Sequence, residues 1–314
     1  MNGLDACHDR ILGALLGLAI GDALGGPIEN MTAAEIVARF PDGVADDPQF
    51  EPGEVTDDTE MARLVALSLV DRGRLDMEDI ARRLVQWAEE DTARPGPSTS
   101  RGIQALRRGV PWRQAGSIAE PSSGALPRCA PLGLVIPEPN IVAATVACCL
   151  PTHRHSLAIA AAVAQNLLLC RLVAGVLWSE AMASLESGVY DLEGAETIRA
   201  ALTAGTGASG AVAVLAEAVA CVAQAPTAGA ALVSAVALGG DTDTRGAAAG
   251  VLAGTRWGAA AFPLEWETRC SASADMRSVA DGLARLYHDL RDETSLVDRQ
   301  APDERLVDRA GRPH

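Results

Sequence analysis

The sequence predicts an all-α protein, one compact helical domain. Three observations carry this. The chain of 314 residues is 48% hydrophobic but only 3% aromatic. Its apolar content is dominated by alanine, leucine and valine. Alanine and leucine are strong helix formers, whereas strands draw on branched and aromatic residues. No stretch alternates apolar and polar residues as a half-buried strand does. Finally, several runs are apolar on every side, which marks helices buried on most faces.

In chain order, the first helix spans about 9–24 and is stopped by Gly25, Gly26 and Pro27. Short and amphipathic stretches follow at 32–39, 58–72 and 76–91, and a Pro/Gly/Ser break at 94–98 precedes one at 99–108. The Pro/Gly/Ser-rich segment 116–137 reads as a long break before a helix over 139–149. Pro151 separates that helix from the apolar run 156–172, and further helices fall at 175–187 and 193–203. After the break at 204–210 come 210–224 and 227–237, then the Gly239–Gly240 turn, then 243–256 and 274–291. No break is long enough to be a linker, and no fixed period suggests a solenoid. Residues 1–292 are read as the domain. Residues 293–314 are read as a highly charged, flexible tail.

The net charge of −15 disfavours nucleic acid as a partner and favours a repulsive, soluble surface. Seven cysteines, an odd number without a CxxC, point to small buried residues in a reducing cytoplasm and not to a disulfide framework. The run ILGALLGLAIG (11–21) is flanked by Asp5, Asp9 and Asp22, which suits a buried helix better than a signal peptide. Gln165, Asn166 and Arg171 interrupt the run 156–178, so it too is read as core and not as a membrane span.

Two acidic clusters need an explanation. In GEVTDDTEMARLVALSLV (53–70), Thr56, Asp57, Asp58 and Thr59 precede an apolar helix. In ALGGDTDTRGAAAGVLAG (237–254), Asp241 and Asp243 alternate with Thr242 and Thr244. Helix capping accounts for part of this, with Asp57 and Glu60 spaced as a capping box. A cap does not need adjacent or alternating acids beside segments too apolar to tolerate unpaired charge. Interleaved carboxylates and hydroxyls are hard oxygen donors, suited to Mg²⁺ or Mn²⁺ and not to zinc or copper. If the two helix starts meet, their carboxylates can hold one or two divalent cations. A third piece, GLAIGDALGGPIEN (17–30), carries Asp22 at the end of a buried helix and Glu29 in the loop beyond.

With these pieces in place, the chain resembles the ADP-ribosylglycohydrolase family. The matching motifs are GDALG with a downstream glutamate (21–29), TDDT (56–59), TSRGI (99–103), SGALPR (123–128), TH (152–153) and GGDTDTRGAAAGVLAG (239–254). The resemblance implies an orthogonal helical bundle around two divalent cations, Mg²⁺ or Mn²⁺. It implies Thr56, Asp57 and Asp58 on one side of the metal pair and Asp241, Asp243 and Thr244 on the other. Glu29 would act at the scissile ribose, with Asp57, Asp58 and Asp243 completing the catalytic set. Asp22, Thr99, Ser123, Gly124, Arg128 and His153 are expected on the substrate side. The implied reaction cleaves the C1″ glycosidic bond between ADP-ribose and a protein side chain, arginine first among them. The expected state is a monomer or weak homo-oligomer with no nucleic-acid or membrane partner.

The nucleotide half departs from the family pattern. The family usually has a GNG-x-x-MR loop on the diphosphate, and this chain has Ser123 for the asparagine and Pro127 for the methionine. An expected aspartate before the T-x-R segment is replaced by Arg94 or Pro95, with Asp91 shifted nearby. Between 113 and 177 there is no Phe, Tyr or Trp to stack an adenine, which leaves Trp112 as a substitute. Two alternatives therefore stand beside the first reading. One is the same chemistry on a smaller riboside. The other is a metal-binding relative without turnover.

Overall fold

A computed structural model describes residues 3–41, 43–44, 53–90, 94–188, 192–207 and 209–292. The tail 293–314 and Asp91 lie outside these residues. The helices are α1 (Gly3–Gly25), α2 (Ala33–Arg39), α3 (Asp57–Arg72), α4 (Met77–Trp87), α5 (Pro97–Arg107) and α6 (Trp112–Ala115). They continue with α7 (Ala125–Val135), α8 (Glu138–Cys149), α9 (Ser156–Val173), α10 (Trp178–Gly188) and α11 (Ala195–Ala204). The last five are α12 (Gly210–Gln224), α13 (Ala228–Val236), α14 (Thr242–Trp257), α15 (Leu264–Arg269) and α16 (Ser273–Asp292). Among the described residues there is no strand, only two isolated bridges, Thr32 with Gly239 and Ser117 with His153. The all-α expectation is met.

The organising contact is between α1 and α14. Glycines recur every four residues on both helices and meet in antiparallel order: Gly13 with Gly254, Gly17 with Gly250, Gly21 with Gly246. A Cβ on Gly250 would stand 1.8 Å from the Gly17 carbonyl oxygen. Residues four apart share a helix face, so each helix presents one bare backbone stripe to the other. The next step of the ladder sets Gly25 against Thr242, whose hydroxyl donates to the Gly25 carbonyl at 2.8 Å. The antiparallel register therefore brings the C-terminal end of α1, with Asp22, to the N-terminal end of α14, with Asp241 and Asp243.

The segment 116–137 is not the long break expected. It contains α7, every residue of which is buried. Pro127 is the third residue of α7, where no intrahelical donor is required, and Pro131 removes one bond from the interior. Tertiary burial overrides that loss. The polar residues that interrupt α9 serve the same packing: Gln165 donates to the Leu126 carbonyl at 2.8 Å and Asn166 to the Cys129 carbonyl at 2.9 Å. Helices α6 and α15 were also unanticipated. Among the described residues, two stretches are long and apolar enough to cross a membrane, Ala6–Ile28 and Ser156–Val173, and 83% and 89% of their 18-residue apolar windows are buried within the fold. All seven cysteines are free thiols, six of them buried.

Candidate active site

Helix α3 begins at Thr56, whose hydroxyl accepts the Asp58 N–H at 3.3 Å. The expected Asp57–Glu60 capping box does not form. Glu60 instead accepts the Trp87 indole N–H at 2.7 Å, because α4 lies over that face of α3. The remaining orphan N–H groups are met from outside the helix. One Asp22 oxygen, Oδ2, accepts the N–H groups of Thr56 at 3.0 Å and Thr59 at 3.1 Å, and the Thr59 hydroxyl besides. Asp22 is fully buried and places its charge at the positive end of α3. With capping done by Thr56 and Asp22, the carboxylates of Asp57 and Asp58 are released from that task.

Asp241 is the N-cap of α14 but makes no capping bond. Its Oδ2 accepts the Ser123 hydroxyl at 2.5 Å. Asp243 accepts the N–H of Thr244 at 2.9 Å. Arg245 is drawn away by Glu217 at 2.6 Å and the Gly239 carbonyl, so it does not neutralise the neighbouring acids. The preceding turn requires glycine. Gly239 and Gly240 have φ of +76° and +70°, and a Cβ at 239 would stand 2.5 Å from the Ala33 nitrogen. Gly240 exchanges backbone bonds with Asn30 and Met31, at 2.8 and 2.7 Å. This clasp holds the loop bearing Glu29, an exposed residue, beside Asp57 and Asp243, both of which feel its charge.

The electrostatics show how closely these groups share a space. Burial, the Asp22 charge and the Glu29 charge push Asp57 up to about 7. Burial, then Asp241, Glu29 and Asp22, push Asp243 up to about 8. Burial and then the charges of Asp243, Asp57, Asp22 and Asp241 hold Asp58 well above the carboxylate range. Burial raises Asp22 to about 6 against the hydrogen bonds from Thr59 and Thr56. Two buried oxygens, Asp22 Oδ1 and Asp58 Oδ2, have no hydrogen-bond partner. Such orphaned carboxylate oxygens are costly unless a cation meets them. Among the described residues, no three Asp, Glu, His or Cys groups converge tightly enough to form a ready metal cage. The donors are carboxylates and hydroxyls, so their chemistry fits Mg²⁺ or Mn²⁺.

A second wall faces Asp241. Gly124 begins α7, and a Cβ there would come within 3.9 Å of both the Thr99 hydroxyl and His153 Nε2. Thr99, Ser123, Gly124 and His153 are thus brought together. His153 Nδ1 lies 2.8 Å from the Thr152 hydroxyl. Burial, then the charges of Arg128 and Arg101, hold its pKa well below the usual value, so the ring is neutral.

Two expectations fail here. Arg128 is not a cation offered to substrate: it is fully buried, bonds Thr152 and donates to the carbonyls of Cys148 at 3.1 Å and Cys149 at 3.4 Å. It satisfies the C-terminal end of α8 and props the loop that carries His153. Trp112 is not a free stacking face either. It is 5% exposed and its indole donates to Glu78 at 3.0 Å. The exposed arginine at this wall is Arg101, which bonds the hydroxyls of Ser117 at 3.2 Å and Ser98 at 3.1 Å. It stands within the TSRGI motif, where its place beside Thr99 was the available signal.

A model of the ADP-ribosylglycohydrolase family matches residues 4–294. The chain is 29% identical to the ADP-ribosyl-dinitrogen reductase glycohydrolase of Rhodospirillum rubrum over 293 residues, which cover 89% of this chain and 97% of that protein. It is 42% identical over 80 residues to the ADP-ribosylarginine hydrolase Tri1 of Serratia proteamaculans, covering 25% of this chain and 21% of that one. A solved ADP-ribosylglycohydrolase-related protein complex superposes with a TM-score of 0.75 at 29% identity, covering 90% of this chain and 99% of the other. The fold and the match define a glycosidase-type hydrolase. The chain belongs to the ADP-ribosylglycohydrolase family.

Proposed function

We propose that this protein hydrolyses the C1″ glycosidic bond of ADP-ribose carried on a protein side chain, arginine first among acceptors, and that it requires two divalent cations, Mg²⁺ or Mn²⁺. The observation that carries the reading is the meeting of the α3 and α14 starts. There, Asp58 and Asp243 are buried, Asp57 is half-buried, all three have raised pKa values, and Asp22 and Asp58 keep unpartnered oxygens. The relatives named for ADP-ribosyl glycohydrolase and ADP-ribosylarginine hydrolase activity support it.

Thr56, Asp57 and Asp58 would hold cations from the α3 side, and Asp241, Asp243 and Thr244 from the α14 side. Bound cations would supply Lewis acidity at the ribose and balance the carboxylates. Departure of the leaving group builds positive charge on the sugar ring, and the dense field of aspartates stabilises that charge. Glu29, exposed on a loop clasped to the Gly239–Gly240 turn, would take a proton from the attacking water. Asp22 is a positioning residue: it fixes the start of α3 and through it the directions of Asp57 and Asp58. The N-terminal end of α7 at Gly124, with Ser123 and Thr99, suits the diphosphate. Ser123 links this wall to Asp241.

One observation favours a second reading, a smaller riboside. Trp112, the aromatic residue nearest in sequence to the altered loop, is anchored to Glu78 and not open for stacking. One panel separates the two. The protein is incubated with ADP-ribosyl-arginine peptide and with simple nucleosides, in Mn²⁺ and in EDTA. Cation-dependent release of ADP-ribose supports the main reading. Release of base or ribose from a nucleoside supports the second. No turnover of any substrate would overturn both.

A further inference from the structure

At the other end of the α1–α14 pair lies a cleft of about 430 Å³ with a different chemistry. Fourteen residues of helix separate Asp243 from Trp257, about 20 Å at 1.5 Å per residue. The cleft is lined by Arg10 of α1, Trp178 of α10, Arg256 and Trp257 of α14, and the turn through Gly175 and Leu177. None of these residues takes part in the carboxylate site.

The two arginines are distinctive. The Arg256 guanidinium stands over the Trp257 ring at 4.3 Å and the Trp178 ring at 5.1 Å, held by one bond of 2.7 Å to the Val222 carbonyl. Burial lowers its pKa, and no acidic group opposes that shift. The Arg10 guanidinium lies beside the turn, 3.5 Å from where a Cβ on Gly175 would stand, and pairs with no carboxylate among the described residues. In a chain of net charge −15, acidic partners are plentiful, and eleven of the described arginines pair with them. Two arginines without an ion-pair partner among the described residues line one cleft and favour a negatively charged ligand. Guanidinium groups bind phosphate oxygens through paired hydrogen bonds, and indoles offer flat apolar faces to a base. Leu177, 64% exposed, extends the apolar rim. The volume is that of a small-molecule pocket.

We infer that the Arg10–Trp178–Arg256–Trp257 cleft is a second ligand site, distinct from the carboxylate centre, that binds a nucleoside phosphate: phosphate on the two arginines and base against the indoles. Two of the chain's five tryptophans are in the cleft, so ligand binding should change intrinsic fluorescence. The full-length protein in EDTA is titrated with AMP, adenosine and inorganic phosphate, each followed by fluorescence and by calorimetry. The variants are Arg10→Gln and Trp178→Phe, together with Ser123→Ala at the distant wall as a control. The expected result is saturable quenching by AMP, weakened at least tenfold by Arg10→Gln and reduced in amplitude by Trp178→Phe. Ser123→Ala should leave it unchanged, and adenosine and phosphate should each bind at least tenfold more weakly than AMP. Arg10 makes no hydrogen bond or ion pair among the described residues, so Arg10→Gln should retain the wild-type melting temperature. Absence of AMP binding at millimolar concentration would overturn the inference. So would binding that survives Arg10→Gln but is lost in Ser123→Ala, or equal binding of phosphate alone.

Discussion

The Gly17 carbonyl of α1 occupies the space that any side chain on Gly250 of α14 would need, with a distance of 1.8 Å to an ideal Cβ. This backbone-to-backbone approach sets how far the two helices slide past each other, and therefore where Asp22 stands relative to Asp241 and Asp243. Gly250→Ala is predicted to destabilise the protein by about 3 kcal/mol or more, since the clash is with backbone and cannot be relieved by a rotamer. Thermal unfolding by circular dichroism measures it. Wild-type stability in the variant would mean that the register is not set by this contact.

Glu29→Gln should cut turnover by about 10²- to 10⁴-fold, the usual contribution of a general base. It should leave the cation-induced rise in melting temperature intact, because Glu29 stands in the loop outside the two helix starts. The two readouts are taken on the same preparation. Unchanged turnover would remove Glu29 from the chemistry.

His153 supplies a pH dependence. Its folded pKa is depressed by burial and by the Arg128 and Arg101 charges, so the folded chain refuses a proton that the unfolded chain accepts below about pH 6.5. Stability should fall as pH drops below that value, by up to about 1.4 kcal/mol per pH unit from this group. Urea unfolding at pH 5 and pH 7 in wild type and His153→Gln isolates the slope. The variant should show a flatter decline, and an equal decline would mean the ring takes up its proton in the fold.

Asp79 supplies the opposite case. Burial disfavours its charge, but bonds from Arg72, Ser68, Arg82 and Arg83 outweigh that and hold its pKa well below the carboxylate range. Its contribution is present above the unfolded value near 3.9 and is lost as pH falls through the folded pKa. Asp79→Asn should cost about 1.5–3 kcal/mol at pH 7, the scale of hydrogen bonds to a charged group. The difference from wild type should shrink toward pH 3. A constant difference would assign the loss to packing.

Much of this was legible in the residues. Alanine- and leucine-rich runs gave most of the helices, and the paired TDDT and GGDTDT segments marked the two acidic starts. Helix α7 was hidden because Pro127 and Pro131 read as breakers, and only burial against α9 makes them tolerable. The glycines of α1 and α14 stand four residues apart in the sequence, but the spacing alone names no partner and no register, which are tertiary facts. Arg128 looked like a free cation because sequence shows a charge and not its surroundings. Its burial follows from the placement of Thr152 and the end of α8. The capping box at Asp57 failed for a similar reason: Asp22, thirty-four residues before Thr56, does the capping.

The central claim is that the acidic starts of α3 and α14 jointly hold divalent cations. Calorimetric titration of the EDTA-stripped protein with Mn²⁺, in wild type, Asp58→Asn and Asp243→Asn, tests it most directly. The account predicts two ions per wild-type chain and loss of at least one in each variant. It also predicts a higher melting temperature for the metal-free variants, because each removes an acid whose ionisation burial and neighbouring charges oppose. No Mn²⁺ binding by the wild-type chain, or undiminished binding in both variants, would contradict it.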